Sequence, residues 1–130
     1  MAKNVKVLRQ VVDSVLSYAR MCHPKESILL LKGKTRKERI VVEEVLIPPF
    51  AVRGRGFSNF PLYSLPIDFS IVGSVHSHPS GILRPSITDL NHIYGVLMMI
   101  TSYPYGSERN IAIFNRDGKS IPFDIIAEQK

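Results

Sequence analysis

A single cysteine, Cys22, rules out an intramolecular disulfide framework. A lone thiol of this kind reads as a small buried hydrophobe, and a neighbouring His23 does not by itself make it a nucleophile. No apolar run reaches the roughly 20 residues that span a bilayer. The N-terminus lacks the basic-then-apolar layout of a secretory signal, so the expected compartment is the cytoplasm. Internal repeats and low-complexity segments are also missing. Acidic residues are the scarcer charge, 11 against 17 basic, for a net charge of +6. That balance can steer a protein towards acidic proteins, nucleic acid or anionic lipid, and it does not choose among them. The densest basic run, residues 32–39, holds no aromatic and reads as a solvated turn, which disfavours nucleic acid.

What is present is enough for one domain, residues 1–130, with 45% hydrophobic residues to build a core. Residues 5–19 carry Leu8, Val11, Val12, Val15, Leu16 and Ala19 at helical spacing, which predicts an amphipathic helix. It should stop before Pro24, leaving His23 beside the helix C-terminus. Residues 26–32 read as a strand, 33–35 as a turn and 39–47 as the returning strand. On that strand Glu43 and Glu44 are adjacent and read as solvated edge charges. Residues 48–66 form an irregular loop in which Arg53, Arg55, Phe57 and Phe60 could meet a partner. Residues 71–75 read as a buried strand, 87–94 as a short helix with Gly95 as its C-cap, and 96–101 as a second buried strand. Residues 110–115 and 120–127 read as a hairpin around Asp117-Gly118. This order predicts an α/β domain: a mixed, mostly antiparallel central sheet with a helix packed on each face.

The chemistry concentrates in one stretch, residues 76–89, HSHPSGILRPSITD. Side chains alternate along a strand, so His76 and His78 share a face at its C-terminal end. Pro79 stops the strand, Ser80-Gly81 turns it, and Ser86 reads as the N-cap of the following helix. Asp89 then lies in the first helical turn, able to swing back towards the histidines. Two His and one Asp leave the fourth position of a tetrahedral zinc open, as in a catalytic site. Each piece also has a plainer explanation: His-x-His pairs occur on surfaces, and Ser86 to Asp89 is equally a capping box. His92, one turn beyond Asp89, reads as an exposed helix histidine.

Taken together, the spacing His-x-His-Pro, six residues, Ser, two residues, Asp resembles the signature of the JAMM (MPN+) metalloproteases, nearest to their stand-alone archaeal-type domains. His23-Pro24-Lys25-Glu26-Ser27 resembles the segment that carries this family's upstream glutamate. The resemblance implies a fold related to cytidine deaminases and one Zn2+ per chain on His76, His78 and Asp89. It also implies Glu26 as general base and Ser86 as oxyanion stabiliser. The implied activity is hydrolysis of the isopeptide bond between a lysine amine and the C-terminal glycine of a ubiquitin-like modifier, with that modifier and its conjugates as partners. Competing readings are a peptidase that trims a sulfur-carrier tail, a metal-free scaffold, and a basic nucleic-acid module.

Overall fold

The computed structural model describes residues 4–48, 70–91 and 93–127. The expectations for Arg53, Arg55, Phe57, Phe60 and His92 lie outside them. In chain order the elements are β1 (Asn4–Leu8), α1 (Arg9–Cys22), β2 (Ile28–Arg36), β3 (Arg39–Leu46), β4 (Ile71–His78), α2 (Ile87–Leu90), β5 (Leu97–Ser102), β6 (Ile111–Phe114), β7 (Ser120–Ile121) and β8 (Phe123–Ile126). The strands form one sheet in the order β7-β6-β5-β4-β2-β3-β1-β8. Pairings β2–β3, β2–β4, β5–β6 and β6–β7 are antiparallel. Pairings β1–β3, β1–β8 and β4–β5 are parallel. The mixed, mostly antiparallel sheet is as expected.

Only Pro122 separates β7 from β8, yet they lie at opposite ends of the strand order. Consecutive Cα atoms are about 3.8 Å apart, so the two edges must come together within roughly 8 Å. The sheet therefore curls almost to closure. α1 lies against the curl, packed on β1, β3, β5 and β8. Its buried stripe, Val11, Val12, Val15, Leu16, Ala19 and Cys22, follows the helical period. It meets Val5, Val7, Leu29, Leu31, Ile40, Val42, Val75 and Met99 from the strands in one continuous core. The opposite face carries two smaller clusters. Ile28, Leu30 and Ile71 are covered by Tyr94, and Met98, Ile100 and Phe114 by Leu83, Ile93 and Ala112.

Several local expectations need correction. The helix over residues 5–19 begins instead at Arg9, because residues 4–8 are a strand. Val5 and Val7 are buried while Asn4 is exposed, and the β-branched pair is held between β3 and β8. The turn at 33–35 is strand, and the reversal falls at Lys37-Glu38, with Lys37 at φ 52°. Gly33 is needed for a close approach: a Cβ there would lie 2.0 Å from the Val41 carbonyl oxygen, beside a bulge in the β2–β3 register. The helix over 87–94 is a single turn, so α2 supplies little of the cover on its face. Gly95 is no cap; at φ 82° it presses on Val72, where a Cβ would meet backbone at 2.6 Å. The strand over 120–127 breaks at Pro122, which has no N–H to donate, and its second half crosses to β1.

Candidate metal centre

The centre is built at the C-terminal end of β4. His76 is in register with Ile28 on β2 and Ile100 on β5, and only 2% of it is exposed. Its walls are therefore apolar. His78 is the last residue of β4 and less buried. The turn beyond it is closed on the His78 carbonyl, which accepts from the Gly81 N–H at 3.1 Å and from the Tyr103 N–H at 3.1 Å. That turn brings the Ile82 carbonyl to 2.9 Å from His78 Nδ1. A carbonyl and an ionised carboxylate both only accept, so Nδ1 donates to Ile82 and Nε2 donates to Asp89 Oδ2 at 3.0 Å.

Asp89 is held from both ends. Its N–H donates to Ser86 Oγ at 3.0 Å, and its Oδ2 accepts from the Ser86 N–H at 2.9 Å, a complete capping box. The same carboxylate lies 3.0 Å from His78 Nε2 through Oδ2 and 3.4 Å from His76 Nδ1 through Oδ1. The capping box and the histidine cluster are one arrangement: the box aims the carboxylate. Burial by itself would raise the Asp89 pKa. The His78 hydrogen bond, the His76 charge, the Ser86 N–H and the His78 charge outweigh it and bring it down to about 2. Burial also opposes charge on His78, but the Asp89 and Ile82 hydrogen bonds and the charges of Asp89 and Glu26 raise its pKa.

The donor set suits a divalent metal. Imidazole nitrogen and carboxylate oxygen are the donors that zinc takes, and Asp89 presents one oxygen to each histidine, at 3.4 Å from His76 and 3.0 Å from His78. The Ile82 carbonyl on His78 Nδ1 supplies the outer hydrogen bond that fixes a metal-binding tautomer. Among the described residues no group of three or more His, Cys, Asp or Glu side chains is gathered as a complete metal cluster. His76, His78 and Asp89 are the residues that would hold the metal.

Glu26 faces this centre across a cleft of about 390 Å3, lined also by His78, Ser80, Ile82, Arg84, Pro85, Ser86, Thr88 and Asp89. Burial raises its pKa, the His78 charge lowers it, and the Asp89 charge raises it, for a net rise. Glu26 precedes β2, and the residue after it is pinned. Ser27 donates its N–H to Ser77 Oγ at 2.8 Å, its hydroxyl lies 3.0 Å from the same oxygen, and the Ser77 N–H returns to the Ser27 carbonyl at 3.0 Å. Ser77 lies between the two histidines in sequence, so this contact ties the Glu26 segment to β4. Sequence reasoning passed over Ser27 and Ser77. The available signal was a hydroxyl on the inward face of a buried strand, where it must find a partner.

The structure thus brings together Glu26, His76, His78, Ser86 and Asp89. It leaves Glu43 and Glu44 on β3, outside the lining of the cleft. His23 is the C-cap of α1, as expected, and does not line the cleft. Cys22 is buried at the end of α1.

Residues 8–115 match the family of prokaryotic homologues of the JAB domain. A probable metalloprotease of Haloferax volcanii is 32% identical over 129 residues, spanning 94% of this chain and 80% of that protein. A JAB1/MPN domain protein from Archaeoglobus fulgidus superposes with a TM-score of 0.68 at 28% identity, over 95% of this chain and 98% of the other. A structure described as a JAMM metalloprotease-like zinc site in the proteasome and signalosome gives the same score and identity, over 95% and 99% of the two chains. A protein from Desulfitobacterium hafniense, 18% identical with a TM-score of 0.67 over 97% and 95%, shares the fold. The chain therefore belongs to the prokaryotic JAB-domain homologues, within the JAMM/MPN proteins. These relatives point to a metalloprotease that works with a metal, as the resemblance implied. No described helix is long and apolar enough to cross a membrane.

Proposed function

We propose that the chain is a zinc-dependent isopeptidase that cuts after the C-terminal glycine of a ubiquitin-like modifier joined to a lysine amine. One zinc would be held by His76, His78 and Asp89. The observation that carries this reading is the convergence of both histidines on the Asp89 carboxylate, with Glu26 across the same cleft. Zinc there would supply a Lewis acid able to bring the pKa of water to about 7. Glu26 takes the proton from the attacking water and passes it to the departing amine, and its raised pKa suits both steps. Ser86 Oγ accepts from the Asp89 N–H, which leaves its own proton to donate to the oxyanion. A Gly-Gly tail has no side chains to obstruct a cleft of this size, and the net charge of +6 favours an acidic modifier.

Incubation of the purified protein with modifier–lysine conjugates, with and without a zinc chelator, tests the proposal. Chelator-sensitive release of the intact modifier is expected. A protein that holds zinc but leaves every isopeptide conjugate whole, while trimming a linear tail, would replace isopeptidase with the tail-trimming activity.

A further inference from the structure

The general base and the metal ligands sit on different segments, and Ser27 on Ser77 fixes only the β2 side of the Glu26 connector. Glu26 lies on the connector from α1 to β2; His76 and His78 lie at the end of β4. Three aromatic rings stand behind this junction. His23, three residues before Glu26, stacks on Tyr103 with ring centres 4.6 Å apart and planes 22° from parallel. It meets Tyr105 edge-on at 5.5 Å, and the two tyrosines meet at 5.8 Å and 89°. His23 Nδ1 is 3.0 Å from the Tyr105 hydroxyl.

Tyr103 touches both sides of the junction. Its ring holds His23, while its N–H donates to the His78 carbonyl at 3.1 Å. Tyr105 is 1% exposed and held in the left-handed region, at φ 58°. A non-glycine residue there is costly and persists only when its surroundings fix it. The surroundings are explicit: its N–H donates to the Ser102 carbonyl at 2.9 Å, its carbonyl accepts from the Arg20 guanidinium, and its hydroxyl reaches His23. The Tyr105 pKa is raised by burial first and by the Glu26 charge second, so phenol and carboxylate feel one another and the phenol keeps its proton. A protonated phenol can share a hydrogen bond with His23 Nδ1 at 3.0 Å.

We propose that His23, Tyr103 and Tyr105 form a clamp of positioning residues that sets Glu26 relative to the His78 end of β4. The clamp rests on the assignment of Glu26 as general base; none of its members lines the cleft. Simple packing is the competing explanation, and it predicts that ring shape alone matters. In the clamp the Tyr105–His23 hydrogen bond matters as well.

The test uses the full chain in two assays. In the metal-free protein, amide hydrogen exchange is followed across residues 23–27. Tyr105→Phe keeps the ring and removes one hydrogen bond, so exchange at Lys25 and Ser27 should rise at least about fivefold while the β1 and β3 amides stay protected. In the zinc-loaded protein, kcat on the modifier–lysine conjugate should fall roughly ten- to a hundredfold, with KM and zinc content unchanged. His23→Asn keeps an acceptor near the position of Nδ1 and should restore much of what His23→Ala loses in both assays. Three results overturn the clamp: exchange over 23–27 equal to the parent in Tyr105→Phe, a uniform rise across the whole sheet, or no advantage of Asn over Ala at position 23. If the parent does not cut the conjugate, the proposed function falls, and the exchange assay still decides the clamp.

Discussion

The two faces of β4 are built on different principles. Towards α1, Val72 and Val75 join a core of aliphatic side chains whose burial is close to complete. Such packing is non-directional and is lost in proportion to the area or volume removed. On the other face Ser74, His76 and His78 follow one another towards the strand end, and beyond Ser74 the order is polar and directional. The His78 ring is fixed by the Ile82 carbonyl and the Asp89 carboxylate by its capping box, while Ser77, which alternates to the Val75 side of the strand, holds Ser27 and so ties the Glu26 segment to β4. One face tolerates approximation and supplies stability. The other depends on a few angles and distances and supplies the chemistry. Mutations should therefore separate cleanly into those that move stability and those that move rate.

The largest effect should come from Glu26→Gln, measured as single-turnover hydrolysis of a modifier–lysine conjugate. The amide cannot accept the water's proton, so the rate should fall by roughly a hundred- to ten-thousandfold, with zinc and melting temperature kept. Parental rates would remove Glu26 from the role of base. Of similar size, but on the other axis, is Leu31→Ala. Leu31 is fully buried on β2 facing α1, and its truncation should cost about 2–5 kcal/mol in chemical denaturation. Activity per folded molecule should be unchanged; a matching fall in kcat would merge the two faces into one unit.

Ser86→Asp sharpens the comparison at the residue that belongs to both. Aspartate caps a helix as well as serine but, ionised, cannot donate to an oxyanion. Stability should be kept and kcat should fall about a hundredfold or more, provided zinc analysis shows the metal retained. Full activity would reduce Ser86 to a cap. The smallest effect expected is that of Ser77→Ala, which removes the hydroxyl that receives Ser27. About 1 kcal/mol of stability should go, with a larger proportional loss in kcat than in KM, because Glu26 is the group set adrift. A change in KM alone would detach Ser77 from the base.

The same contrast explains how far the sequence could be read. Chemistry that is local in sequence was legible: His76, His78, Ser86 and Asp89 fall within one short stretch, and it is their combined spacing that carries the family resemblance. Glu26 stands 50 positions before His76, and nothing in its own surroundings marked it apart from the family resemblance. The link between the two, Ser27 on Ser77, joins residues 50 apart in sequence. The fold was legible wherever one period governed a segment, as in α1 from Arg9 and in β5. It was misread where two periods competed. Val5 and Leu8 fit a helix as well as Val5 and Val7 fit a strand, and pairing with β3 and β8, far along the chain, decided the matter. Gly33 and Gly95 were taken for punctuation, but both answer to a neighbouring strand that passes too close for a side chain. Residues 120–127 read as one hairpin arm, and Pro122 within them is the point where the curled sheet's two edges meet.

The central claim is that His76, His78 and Asp89 hold a catalytic metal. The most direct test is elemental analysis of zinc per chain, on the purified parent and on His78→Ala prepared alongside it, with both shown to be folded. The account predicts about one zinc per chain in the parent and almost none in the variant, since losing one of three protein ligands leaves too few to retain the ion. Equal zinc in the two proteins, or none in a parent that still hydrolyses conjugates in the presence of chelator, would contradict it.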